Sequence, residues 1–126
     1  MFSIHQGYYI VYKFMERYWY EVDRHRKYEP DDSFTLVTIF STGMEPQDIN
    51  ISNPLDREKY YEWVELTSQI NDKATYTKDE LFTAMIKFLN YYKNEYGFNL
   101  KEAIDDIEHN CNVMWEKVIT EAIETI

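Results

Sequence analysis

One cysteine, Cys111, stands in a chain of 126 residues, so no disulfide can close within it. So sparing a use of thiols fits a reducing compartment. Glycine and proline number three each, too few for the tight turns of a many-stranded β design. No apolar run approaches the eighteen or so residues that would span a bilayer. The N-terminus has neither a basic leader nor a small-residue cleavage site, and Lys13, Glu16 and Arg17 break up its apolar stretch. A soluble cytoplasmic protein with no membrane partner is the expectation. A Gly-rich phosphate loop, a nucleophile elbow and paired Cys or His at metal-site spacing are all missing. No enzyme activity, cofactor or metal site is therefore expected.

What the sequence holds in quantity is aromatic side chains and acid. Aromatics make up 17% of the residues, twelve of them Tyr, and the net charge is −10. The charge is uneven: residues 1–30 carry five basic and four acidic side chains, a balance of +1, so the remainder carries −11. From Glu95 onward eight acids face Lys101 and Lys117, a balance of −6. Such a surface repels phosphate backbones, which argues against nucleic acid as a partner. It attracts basic proteins and speeds encounter with them; a purely solubilising role is the plainer alternative.

Helical patterning dominates. Thr77-Lys78-Asp79-Glu80 is a capping box in which hydroxyl and carboxylate each satisfy an orphan amide of the first turn. Tyr76 and Leu81 are placed to staple over it, and Leu81, Met85, Phe88, Leu89, Tyr92 and Tyr96 form the apolar stripe behind. Gly97 is placed as a left-handed terminator. Asn99, with Glu102 three positions on, predicts the cap of a next helix whose inward residues are Leu100, Ala103, Ile104 and Ile107. A last helix follows on Met114, Trp115, Val118, Ile119, Ala122, Ile123 and Ile126. Earlier, Asn53-Pro54 supplies a cap and first-turn proline for a helix facing inward through Tyr60, Trp63, Val64, Thr67 and Ile70. Residues from about Tyr8 to Lys27 read as one long helix with Ile10, Val11, Phe14, Tyr18 and Val22 inward.

Residues 33–40 pull in two directions. Their β-branched and aromatic content favours a strand, while Asp31-Asp32-Ser33 is a good N-cap run and Leu36, Val37 and Phe40 have helical spacing. A lone strand without a partner would leave its amides unsatisfied. Helix is therefore predicted, and with it an all-α single domain over 1–126: a compact bundle of about six helices.

The helices suggest two related three-helix units sharing one core, over 8–70 and 77–126. Lys13, Phe14, Met15, Tyr18 and Glu21 match Lys87, Phe88, Leu89, Tyr92 and Glu95 in spacing. Leu36, Val37 and Phe40 correspond to Ala103, Ile104 and Ile107, and each unit ends in a helix with a tryptophan, Trp63 or Trp115. The alternative is the general likeness of amphipathic helices.

Few residues invite chemistry. Asp105, Asp106, His109 and Cys111 could converge on a metal from one helix, but no second His or Cys is recruited, and a solvated acidic face with a helix-end His and a packed thiol explains them as well. His25 falls in a basic run suited to a helix C-terminus, and His5 lies near an end that can fray. Tyr8, Tyr9, Tyr12, Tyr18, Trp19 and Tyr20 exceed what one inward stripe can use, which makes them candidates for interface anchors or for core edges.

The order of these motifs resembles a family of small bacterial immunity proteins of contact-dependent growth inhibition. The resemblance rests on Phe14-Met15-Glu16-Arg17-Tyr18-Trp19, Asp31-Asp32-Ser33-Phe34-Thr35-Leu36-Val37, Asn53-Pro54-Leu55-Asp56 and Tyr61-Glu62-Trp63-Val64, and on the opening Thr77 to Leu89. Asn53 stands where the family has Asp before the proline, and Phe34 and Thr35 replace its small residues. The resemblance implies a protein that binds and neutralises the C-terminal toxin domain of a cognate effector, often a nuclease, inside the producing cell. The acids Glu102, Asp105, Asp106 and Glu108, clustered opposite the predicted apolar stripe, are the expected partner-binding residues. Another helical module (phage inhibitor, antitoxin or adaptor) is the alternative, and a metal-dependent enzyme on the Asp105–Cys111 cluster a third.

Overall fold

A computed structural model describes residues 1–25, 32–42 and 57–125. Among them the chain is all-helical apart from one two-stranded ladder: β1 (Phe2–Ser3), α1 (Ile4–Glu21), a 3-10 turn at Asp23–His25, α2 (Ser33–Thr42), α3 (Arg57–Ser68), β2 (Thr75–Tyr76), α4 (Lys78–Glu95), α5 (Lys101–Asn110) and α6 (Asn112–Thr125). None of these helices is long and apolar enough to cross a membrane. The ambiguous stretch is helical as expected; buried Leu36 and Val37 fix its inward side, so tertiary packing overrides β propensity there. The Asn53-Pro54 cap lies outside the described residues.

The Thr77 capping box forms as read. Thr77 Oγ1 accepts from the Glu80 amide at 3.1 Å, and Glu80 Oε1 accepts from the Thr77 amide at 3.0 Å. Tyr76 and Leu81 beside it are fully buried. Gly97, at φ +70°, turns the chain, and Phe98 folds back so that its amide reaches the Tyr92 carbonyl at 3.4 Å. Two stripe members are misplaced by the periodicity: Tyr96 and Ile123 are exposed, each at the C-terminal end of its helix, although Tyr96 still packs one side against Tyr91, Tyr92 and Phe98.

α1 starts earlier and stops sooner than expected. Ser3 and Gln6 make a second capping box, with bonds of 3.1 and 2.9 Å, which draws the helix back to Ile4. His5 is consequently no fraying residue but buried against the Tyr60 ring, 6.4 Å between centroids. At the other end the helix closes at Glu21, and His25 sits exposed in the 3-10 turn. Nor does Asn99 cap α5. Leu100 occupies that position without a side-chain bond, because the Asn99 backbone is engaged by Asp32: Asp32 N–H donates to the Asn99 carbonyl (3.1 Å), and the Asn99 amide donates to the Asp32 carboxylate (2.6 Å).

One hydrophobic cluster joins both halves of the chain. α1 lies at its centre, touching α2, α3, α4 and α6, and this explains its aromatic surplus. Tyr8, Tyr12 and Tyr18 are buried and Tyr9 and Trp19 partly so, leaving Tyr20 as the exposed member. Counted from their caps, α1 and α4 share six buried positions: Gly7, Ile10, Val11, Phe14, Met15 and Tyr18 match Leu81, Ala84, Met85, Phe88, Leu89 and Tyr92, while α1 also buries His5, Tyr8 and Tyr12. Equivalent residues also meet one another. Phe2 pairs with Tyr76 in the antiparallel ladder, Asp32 with Asn99 as above, and Gly7 abuts Leu81 so closely that a Cβ there would lie 2.5 Å from Leu81 Cδ2. The two buried tryptophans are shared in the same reciprocal way. Trp63 meets Tyr8 of its own half at 6.2 Å and Phe88 of the other at 5.7 Å. Trp115 meets Phe82 of its own half at 5.4 Å and Phe14 of the other at 5.5 Å.

Candidate interaction surfaces

α5 is positioned by Leu100, Ala103, Ile104 and Ile107, all buried, so its opposite side is a rigid display face. Glu102, Asp105 and Glu108 stand exposed on it, whereas Asp106 is half-buried at its edge. The four acids are therefore not equivalent. Asp106 accepts from the buried Tyr18 hydroxyl at 2.9 Å and from Asn110 Nδ2 at 2.9 Å, which ties α5 to α1. Its carboxylate is committed to the fold. Glu102 and Glu108 make no ion pair among the described residues. Asp105 holds His109, whose Nδ1 lies 2.8 Å from the Asp105 carbonyl and 3.3 Å from its carboxylate. The backbone bond and the neighbouring charge raise the His109 imidazole above its ordinary value.

The Asp105–Cys111 cluster does not converge. Cys111 ends α5 and is buried, while Asp105 and His109 point to solvent. Among the described residues no three His, Cys, Asp or Glu side chains come close enough to share a metal ion.

A second surface lies where α1, α2 and α6 meet. It is a groove of about 600 Å³ with Tyr9, Trp19, Tyr20 and Phe34 along it and Val37, Val118 and Ala122 at its floor. Trp19 and Phe34 lie together, centroids 4.6 Å apart, and Tyr20 and Phe34 are 56% and 53% exposed. The cations here are satisfied internally. Arg17 Nη2 donates to both Glu121 carboxylate oxygens at 2.9 Å and Arg17 Nε lies 3.9 Å from Glu21. Lys13 is 3.6 Å from Glu16 and lies over the Tyr9 and Tyr12 rings. Burial, reinforced by the hydrogen bond to Glu16, pushes the Tyr12 phenol far up and keeps it neutral.

A depression that carries the cation Lys117 lies between the acidic face and the groove. Asn110 borders both the depression along α5 and this smaller one, which also contains Arg17, Glu21 and Glu121 of the groove wall. Sequence reasoning picked out Tyr9, Trp19 and Tyr20 but missed Phe34, Arg17 and Glu121, which belong to other helices or read as ordinary surface charge. That Trp19 and Tyr20 fall off the stripe of Ile10, Phe14 and Tyr18 was the available signal. Comparison with protein-family models, curated proteins and solved structures gives no match for this chain.

Proposed function

We propose that this chain is a binding protein that neutralises a basic partner, acting as an immunity protein against a toxin domain in the cytoplasm of the producing bacterium. The observation that carries the reading is the outer face of α5: three exposed carboxylates, Glu102, Asp105 and Glu108, on a helix anchored by a fully packed stripe. Fixed carboxylates in a chain of net charge −10 raise the encounter rate with a cationic protein. They also match the Lys and Arg side chains with which a nuclease grips phosphates. The motif order described above supplies the more specific part of the reading, a toxin as target.

The test is association with the protein encoded immediately upstream, where an effector would lie. Glu102→Lys, Asp105→Lys and Glu108→Lys together should slow association at low salt by about tenfold or more and weaken protection of cells. Asp106 is kept, because its loss would disturb the α5–α1 contact. Unchanged association by the triple variant, or no association by the natural chain, contradicts the proposal.

A further inference from the structure

The matching halves provide an internal control for deciding which surface residues the fold itself demands. Where two equivalent positions share the same exposure, a residue that differs in kind between the halves is not required by the framework. With α1 and α4 set in register from their caps, Tyr9, Trp19 and Tyr20 correspond to Thr83, Lys93 and Asn94. Trp19 and Lys93 are both half-buried, and Tyr20 and Asn94 both exposed. With α2 and α5 aligned on Leu36 and Ala103, Phe34 corresponds to Lys101. The acids diverge too: Glu16 corresponds to Asn90 and, with Trp63 and Trp115 in register, Glu121 corresponds to Gln69. The groove is thus aromatic at four positions whose counterparts are Thr83, Lys93, Asn94 and Lys101, and acidic at Glu16 and Glu121 whose counterparts are Asn90 and Gln69, while Glu21 keeps an acid, Glu95, at its counterpart.

We infer that the α1–α2–α6 groove is a docking site for an arginine-bearing segment of the partner protein, a site that rests on the proposed function and extends it beyond the acidic face of α5. Aromatic faces and carboxylates side by side suit a guanidinium, which stacks on a ring and donates to an oxygen at once. The chain itself supplies an example: the Arg24 guanidinium lies 3.7 Å from the centre of the Tyr20 ring. Charge complementarity runs the same way. Among the described residues that line the groove, three acids, Glu16, Glu21 and Glu121, stand against Lys13 and Arg17, with Arg24 at the rim on Tyr20, and a depression holding Arg17, Glu21, Glu121 and Lys117 leads from its wall to Asn110 at the edge of the α5 face. A lysine-rich segment would gain the charge but not the stacking, and an acidic one neither.

The probe is a short synthetic peptide alternating arginine and leucine, with lysine and glutamate versions as controls, titrated into the full chain. The indole N–H resonance of Trp19 should move, while those of the enclosed Trp63 and Trp115 stay. The lysine peptide should bind at least about threefold more weakly, and the glutamate peptide should leave the spectrum unchanged. Replacing groove residues by those of the other half, Trp19→Lys, Tyr20→Asn and Phe34→Lys, should preserve the helical spectrum and weaken the arginine peptide by at least about tenfold. A Trp19 signal that stays still at saturation overturns the inference even if the triple variant misfolds. So does a variant that folds and binds as before. If the upstream protein binds the groove variant normally but not the α5 triple variant, the groove is wrong and the function stands. If the arginine peptide moves Trp19 while the upstream protein does not bind, the groove stands and the toxin reading falls.

Discussion

Asp105 and Asp106 are neighbours of identical chemistry with opposite duties. Asp105 faces solvent; Asp106 accepts the hydroxyl of Tyr18, a residue with no exposed surface. Removing the carboxylate loses a charge-assisted bond to a buried hydroxyl, at a cost of roughly 1.5–3 kcal/mol. Asp106→Ala should therefore lower Tm measurably, and Asp105→Ala should leave it where it was; equal shifts in thermal unfolding would contradict the assignment. No sequence pattern separates the two, because the difference lies in which helix crosses behind α5. Gly7 makes the same point for packing. It reads as a weak spot in a helix, yet its missing Cβ is what lets α1 approach Leu81. Gly7→Val gains helix propensity but forces methyl groups into a filled core, and should destabilise by roughly 1–3 kcal/mol. Denaturant titration that found it neutral would show the contact to be slack.

Among the elements, α4 was legible up to its last turn because its signals are local: box, staple, stripe and terminating glycine all lie within one short stretch. Thr77→Ala should cost about 1 kcal/mol, read as a lower urea midpoint. The Glu80 carboxyl is held below the ordinary glutamate range, first by the Thr77 amide and then by Asn71. A carboxyl lowered on folding stabilises above its unfolded value, and that contribution is lost as pH falls through the lowered one. Glu80→Gln should therefore flatten this part of the acid limb, and an NMR titration should find the Glu80 midpoint below that of a free glutamate side chain. Other elements depended on distant partners. The start of α1 was missed although Ser3 and Gln6 have capping-box spacing, because Phe2, Ile4 and Gly7 around them gave no clear periodicity. The cap of α5 was misassigned because Asn99 is diverted by Asp32, far away in sequence. The apolar faces of α4 and α5 were legible and the last turns of α4 and α6 were not, since a periodic stripe cannot show where its covering neighbour ends.

Across the whole molecule, aromatic content and acidity separate into inside and outside. The rings hold the two halves together through Trp63 and Trp115, each clamped between a ring of its own half and one of the other. Carboxylates line α5 and the groove; Glu102, Asp105 and Glu108 stand on the solvent side of α5, outside its packed stripe. All-helical architecture was legible from caps and periodicity. The acidic side of the candidate site was legible from charge counting, while the groove was not, since three separate helices build it. The central claim is that the α5 carboxylates exist to meet a basic protein. Stopped-flow association with the upstream-encoded protein, measured across ionic strength, tests it most directly. The association rate should fall steeply as salt rises, and Glu102→Lys, Asp105→Lys and Glu108→Lys together should slow it at low salt and remove most of the slope. A rate that is flat with salt and equal for both proteins would contradict the account.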